Sequence, residues 1–189
     1  MKSRSGPPPM IAIDRDGTLI HECEYLNDPG QIRFLRGVYG GLKRLRRAGF
    51  RVVVVSNQAG VGRGLISPAQ LAKVNERFLK LLKSHHAPID GYYWCPHAPS
   101  AGCTCRKPRT GMLKMASKKL RYPWKGAISI GDRPTDVELG QRAGGRGVLV
   151  QTGYGRRWAR SPEAQKADFI AKNFNEAVSW ILRQGGAAE

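Results

Sequence analysis

No apolar run in this 189-residue sequence approaches the roughly 20 residues that a helix needs to cross a bilayer. The longest runs are strand-sized, such as Val52-Val53-Val54-Val55. The first nine residues carry a Pro run and two positive charges but no apolar stretch, so they do not read as a secretory signal. Met1 to Pro9 are expected to form a loose tail, and residues 185–189 a second one. Acidic residues are scarce, 14 against 32 Lys and Arg, which leaves a net charge of +18. That balance favours anionic partners such as phosphates or nucleic acid. The basic residues are nevertheless spread over 33–51, 106–125 and 133–160, with no basic tail and no RNA-binding signature. Nucleic acid is therefore not the expected partner. Cysteine is sparse too, at four, and three of the four fall within eleven residues together with His97. That clustering argues against a disulfide framework and for a metal, in a reducing and hence cytoplasmic setting.

What is present is a globular composition, 41% apolar, long enough for one domain with a sizeable core. Residues 10–184 read as that domain, with no internal repeat. Strand and helix signals alternate. Met10 to Ile13 is a short apolar run ending at Asp14. Val38, Leu42 and Leu45 have helical spacing, and Gly49 is a natural stop. Arg51 to Val55 suits a strand covered on both faces. Ser67, Pro68 and Gln70 form a capping box ahead of the apolar stripe Leu71, Val74, Phe78, Leu81 and Leu82. Gly91 to Trp94, Ala127 to Ile130 and Gly147 to Val150 read as strands, and Asp168 to Ala171 as an edge strand. Met112 to Leu120 and about Asn173 to Arg183 read as helices. The alternation predicts an α/β fold, a parallel sheet with helices on both faces. In such sheets ligands lie beyond the carboxyl ends of the strands. Asp14, Ser56, Cys95 and Asp132 each follow a predicted strand, so four chemically capable residues converge on one edge.

Asp14-Arg15-Asp16-Gly17-Thr18 places two carboxylates two residues apart, with Gly17 permitting a bend. One carboxylate can serve as a nucleophile and the other as a proton carrier. Read alone, the same residues also suit a surface turn. Ser56-Asn57-Gln58 offers a hydroxyl and backbone N–H groups for phosphate oxygens. Lys107 can offset phosphoryl charge. Asp132 and Asp136 supply hard oxygens that suit Mg²⁺, although Asp136 would also favour a helix N-terminus without any metal.

In this order, the four elements resemble the haloacid dehalogenase (HAD) superfamily of phosphotransferases, over the span from Asp14 to Asp136. The resemblance implies a Rossmann-like sheet, an aspartyl-phosphate formed on Asp14, acid/base work by Asp16, and phosphoryl binding by Ser56 and Lys107. It further implies Mg²⁺ held by the carboxylates of Asp14 and Asp132 and the backbone carbonyl of Asp16. Asp136 would support that metal directly or through another group.

Cys95-Pro96-His97 and Cys103-Thr104-Cys105 give two tight ligand pairs separated by five residues. Three thiolates and an imidazole favour tetrahedral Zn²⁺, and a site with all four positions filled is structural. Cys23 has no partner in sequence. The Cys-x-His and Cys-x-Cys-Arg-Lys-Pro segments, with the Asp14 and Ser56 motifs, are similar to the heptose-bisphosphate and histidinol-phosphate phosphatase family. Gly60-Val61-Gly62-Arg63-Gly64 resembles its heptose branch, which removes the 7-phosphate of D-glycero-D-manno-heptose 1,7-bisphosphate. Histidinol phosphate is the alternative substrate, and a nucleic-acid end-processing phosphatase a more distant one. Too few residues separate Asp16 from Ser56 for a cap domain. The zinc loop and the segment Glu22 to Tyr25 are expected to shape access instead. Substrate contacts are expected from Arg15, Glu22, Tyr25 and Asn57, and also from Gln58, Arg63, Arg106 and Arg133. Arg106 is tethered by the neighbouring ligand Cys105 and is expected to grip a second phosphate. A monomer acting on a small sugar bisphosphate is expected.

Overall fold

The computed structural model describes residues 6–185, so most of the two expected tails lies outside the described residues. Six strands form one parallel sheet: β1 (Ile11–Ile13), β2 (Val52–Asn57), β3 (Gly91–Cys95), β4 (Ile128–Gly131), β5 (Arg146–Val150) and β6 (Phe169–Ala171). Their order is β3-β2-β1-β4-β5-β6, with every pairing parallel. The helices are α1 (Val38–Arg47), α2 (Ala59–Gly62), α3 (Pro68–Ser84), α4 (Gly111–Leu120), α5 (Pro134–Arg142), α6 (Gly155–Trp158) and α7 (Phe174–Gly185).

Alternation along the strands sorts the core into two layers. Ile11, Ile13, Val52 and Val54 face a cluster completed by Leu42 and Leu45 of α1, Phe78 and Leu82 of α3, and Val178 and Ile181 of α7. Ala12, Val53 and Val55 face the opposite cluster, with Met112 and Leu113 of α4 and Leu139 of α5. Each fully buried Leu or Ile contributes about 1.5–3 kcal/mol relative to exposure. The crossovers through α1 and α3 step one way along the sheet, and those through α4 and α5 step back on the other face. A single crossover handedness requires that division.

The expected strands and helices are present, and the Ser67–Gln70 capping box closes with both of its hydrogen bonds. Most boundaries shift by a residue or two from the sequence reading, and two of the shifts bear on the site. Ser56 and Cys95 lie inside β2 and β3 rather than after them, because Ser56 pairs with Trp94 and Asn57 with Cys95. The short helices α2 and α6 have no apolar stripe long enough to be seen in the sequence.

The chain leaves β1 toward β2 and leaves β4 toward β5, in opposite directions. A crevice therefore opens between the carboxyl ends of β1 and β4, where Asp14 and Asp132 stand.

Candidate active site

Asp14 follows β1 and is 8% exposed. Lys107 Nζ lies 2.5 Å from Asp14 Oδ1 and 2.7 Å from Asp136 Oδ1. It also donates to the Val55 carbonyl at 2.8 Å. The buried ammonium thus has two hydrogen-bond acceptors and a second carboxylate at ion-pair distance, and burial's bias against its charge is overridden by Asp136 and Asp14, which hold its pKa above the ordinary lysine value. Asp136, at the start of α5, has its other oxygen accepting from Arg133 N at 3.1 Å.

Asp132 faces Asp14 across the crevice. Its Oδ2 accepts from the Tyr154 backbone N–H at 2.8 Å, while its Oδ1 is buried with no partner among the described residues. Gly17 (φ 75°) must lack a side chain, since a Cβ would stand 2.1 Å from Asp132 Oδ2. Thr152 ties the same turn by donating to the Gly17 carbonyl at 2.6 Å. Burial pushes Asp14 up to about 7, against the pull of Lys107 and with help from Asp136 and Asp16. Burial pushes Asp132 up to about 8, with Asp14 and Asp136 adding to it. Carboxylates so crowded call for a cation.

One oxygen from each of Asp14, Asp132 and Asp136 can fall within 4.8 Å of the others. Together with the orphaned Asp132 Oδ1, this all-oxygen donor set fits a hard divalent cation such as Mg²⁺.

Asp16 lies on the same loop. Its Oδ2 accepts from Gln58 Nε2 at 2.8 Å and from Ser56 Oγ at 3.5 Å. Arg15 approaches it with Nε 3.1 Å from both carboxylate oxygens and Nη2 2.9 Å from Oδ2. The rest of the guanidinium turns inward to Asn75 and Tyr92. Burial opposes its charge, but Asp16, joined by Tyr92 and Asp14, outweighs that and holds the Arg15 pKa above its usual value. Burial pushes Tyr92 up to about 12, only partly countered by Arg15.

A cavity of about 440 Å³ opens over these groups. Its walls include Glu22, Tyr25, Arg63, Arg106, Arg133 and Tyr154. Arg63 donates to the Tyr25 hydroxyl at 2.5 Å, and the Arg133 guanidinium stacks 4.0 Å over the Tyr154 ring. Burial pushes Glu22 up to about 7, and the charges of Asp16 and Asp14 add to that. Arg106 Nη1 is buried without a partner among the described residues.

The Cys/His cluster lies just ahead of Arg106 and Lys107 in the chain. Cys95 Sγ lies 3.5 Å from His97 Nδ1 and 3.2 Å from Cys105 Sγ, and Cys105 Sγ lies 3.6 Å from Cys103 Sγ. All four ligand atoms fit within 4.8 Å of one another. A soft, four-donor set so compact fits Zn²⁺. Burial, and then the neighbouring Cys105, push the Cys95 thiol up to about 12, and a bound cation would favour its thiolate.

The fold thus brings Asp14, Asp16, Ser56, Lys107 and Asp136 to one crevice, with Asp132 beside Asp14 and Asp136, and Glu22, Tyr25, Gln58, Arg63, Arg106 and Arg133 around it. Two expected substrate contacts, Arg15 and Asn57, line the cavity but have their side chains engaged within the protein. Arg15 is fully buried, with its guanidinium spent on Asp16, Asn75 and Tyr92. Asn57 uses its amide on the Lys107 backbone. Sequence reasoning missed Tyr154, Thr135, Asn75 and Tyr92. The Gly-Tyr-Gly run after β5 was the one available signal, for Tyr154 alone.

Known proteins resemble the chain over most of its length. A HAD-hydrolase-like family model matches residues 104–177. A D-glycero-D-manno-heptose-1,7-bisphosphate 7-phosphatase of Thermosynechococcus vestitus is 34% identical over 188 residues, covering 93% of this chain and 96% of the relative. A D-glycero-beta-D-manno-heptose-1,7-bisphosphate 7-phosphatase of Escherichia coli K12 is 32% identical over 190 residues, covering 96% and 97%. Among solved structures, the D,D-heptose 1,7-bisphosphate phosphatase of B. bronchiseptica, complexed with magnesium and phosphate, superposes with a TM-score of 0.83 at 28% identity. That match covers 94% of this chain and 99% of the other.

Proposed function

The chain belongs to the heptose-1,7-bisphosphate 7-phosphatase family of HAD-like hydrolases, and on that premise we propose that it removes the 7-phosphate of D-glycero-D-manno-heptose 1,7-bisphosphate through an aspartyl-phosphate on Asp14. The observation that carries this reading is the pairing of Asp14 with Lys107 at 2.5 Å, with Asp16 beside them facing the same cavity. It acts as a cytoplasmic monomer on a small molecule. The relatives' names favour the heptose substrate over histidinol phosphate.

Mg²⁺ would be held by Asp14 and Asp132 with the Asp16 carbonyl, and it supplies charge neutralisation for the phosphoryl oxygens. Lys107 neutralises charge from the other side, held in place by Asp136. A carboxylate oxygen of Asp14 bonds to phosphorus as the ester P–O bond breaks. The electron pair goes to the leaving oxygen, which takes a proton from the Asp16 carboxyl. A water then attacks the aspartyl-phosphate, giving its proton to Asp16. The Asp14–phosphorus bond breaks, phosphate leaves and both carboxyl groups return to their starting states. Ser56 and the backbone N–H groups at the end of β2 receive phosphoryl oxygens. Zn²⁺ on Cys95, His97, Cys103 and Cys105 would fix the loop that carries Arg106 and Lys107.

The test is initial rates on heptose bisphosphate, fructose bisphosphate and histidinol phosphate, side by side with Mg²⁺. Heptose bisphosphate should give the highest kcat/KM. A higher value for histidinol phosphate overturns the substrate, and no turnover of any of the three overturns the reading.

A further inference from the structure

The proposed reading leaves one buried cation without a task. Among the described residues two cations are buried, Lys107 and Arg15, and Arg15 is fully so. A charge removed from water persists only when paired and hydrogen-bonded. Arg15 meets that demand on two sides. Nη1 donates to Asn75 Oδ1 on α3 at 3.0 Å and to the Tyr92 hydroxyl on β3 at 3.0 Å. Nε and Nη2 face Asp16, at 3.1 Å from both oxygens and 2.9 Å from Oδ2. One edge of the planar group is thus anchored to the helix and sheet, and the other holds a carboxyl whose side chain is 17% exposed.

We propose that Arg15 is a positioning residue for proton transfer, aiming the Asp16 carboxyl at the leaving oxygen, and not a substrate contact. This rests on the reading of Asp16 as the proton carrier. Arg15 borders the cavity as Arg63, Arg106 and Arg133 do, but it is fully buried and all three of its guanidinium nitrogens are engaged by Asp16, Asn75 and Tyr92, which leaves none to grip a phosphate. A carboxyl on a short side chain turns about two bonds. A rigid fork touching both of its oxygens fixes both torsions, and an ammonium cannot. Asn75 and Tyr92 fix the fork in turn, from segments 60 and 77 residues away in sequence. The step at stake is the first one. The Asp14 oxygen–phosphorus bond forms, the ester P–O bond breaks, and the leaving oxygen takes the Asp16 proton. An alcohol needs that proton as it leaves, whereas a nitrophenol of low pKa leaves as its anion.

The experiment measures kcat/KM for phosphate monoesters graded from alkyl to dinitrophenyl, on wild type, Arg15→Lys, Tyr92→Phe and Asp16→Asn. This ratio reports steps up to alcohol release, so the shared hydrolysis of the aspartyl-phosphate does not enter it. Arg15→Lys should lower the value for alkyl phosphates by roughly 10- to 100-fold, and for dinitrophenyl phosphate by less than about 3-fold, since general acid catalysis contributes about 10²–10⁴ where it operates. Tyr92→Phe, which keeps the ring and the charge, should show the same tilt more weakly. It decides the matter if Arg15→Lys does not fold. A uniform fall across the series, or a gain on alkyl phosphates, overturns the positioning role. If Asp16→Asn is steep while both other variants run parallel to wild type, only the role of Arg15 falls. If Asp16→Asn itself runs parallel to wild type, the proton-carrier reading fails and the proposal falls with it.

Discussion

Asn57 and Lys107 exchange two hydrogen bonds: Lys107 N donates to Asn57 Oδ1 at 3.0 Å, and Asn57 Nδ2 donates to the Lys107 carbonyl at 3.2 Å. The side chain thus acts as a short strand partner, extending β2 onto the loop that delivers the lysine. Asn57→Ala should leave the backbone N–H of Lys107 unmet and cost about 1–3 kcal/mol of stability. It should also lower kcat roughly 10-fold as Nζ loses its place beside Asp14. Urea unfolding and steady-state kinetics on the same preparation check both. Unchanged kcat in a destabilised variant would show that the clamp supports the fold alone.

Asp14→Asn should abolish covalent transfer while keeping volume. A loss of three orders of magnitude or more in turnover is expected, on the scale of removing a nucleophile elsewhere. Near-normal turnover by a folded, pure variant sinks the mechanism.

The Cys/His cluster should hold about one zinc per chain after purification without added metal. Removing it with a chelator should lower the melting temperature and expose Cys95, Cys103 and Cys105 to alkylation, because metal binding and loop folding share one free energy. Protein free of zinc, with all three thiols reactive from the start, contradicts the site.

Arg106 Nη1 is buried without a partner among the described residues, a donor kept waiting for an acceptor. Arg106→Ala should lower kcat/KM for the bisphosphate by roughly 10- to 100-fold, the worth of one charge-assisted contact. A simple monophosphate should lose much less. Equal losses on both would mean that Arg106 does not read the second phosphate.

Glu22 titrates near 7 in the folded chain, raised from an ordinary 4.5 by burial and then by Asp16 and Asp14. Between those values the native state binds more protons than the unfolded chain, so this group's contribution falls as pH rises from about 4.5 to 7. Glu22→Gln removes that loss. The variant should gain on wild type by about 1–2 kcal/mol between pH 5 and pH 8 without Mg²⁺, a figure reduced because the group is partly exposed. Parallel urea-stability curves at the two pH values would show that Glu22 is not strained in this way.

Several features were legible in the residues alone because their causes are local. Four successive valines dictate a doubly covered strand, and β2 is one. Ser67 and Gln70 carry their own capping box, three residues apart. The position of Asp14 and Asp132 beyond short apolar runs placed them at one sheet edge once the strands were known to be parallel. Ligand types as closely spaced as Cys95, His97, Cys103 and Cys105 can hardly fail to meet.

The tertiary structure alone decided which way the polar side chains of the loops and strand ends point. Arg15 reads like another phosphate-binding arginine on a very basic chain, yet it turns inward because Asn75 and Tyr92 offer acceptors there. Asn57 reads like a phosphate contact and is taken by Lys107, 50 residues away. Tyr154 reaches Asp132 only because β5 lies next to β4 in the sheet. Periodicity fixes the faces of strands and helices, since their side chains repeat at constant angles. A loop has no such repeat, so the direction of its side chains follows from partners that only the fold brings near.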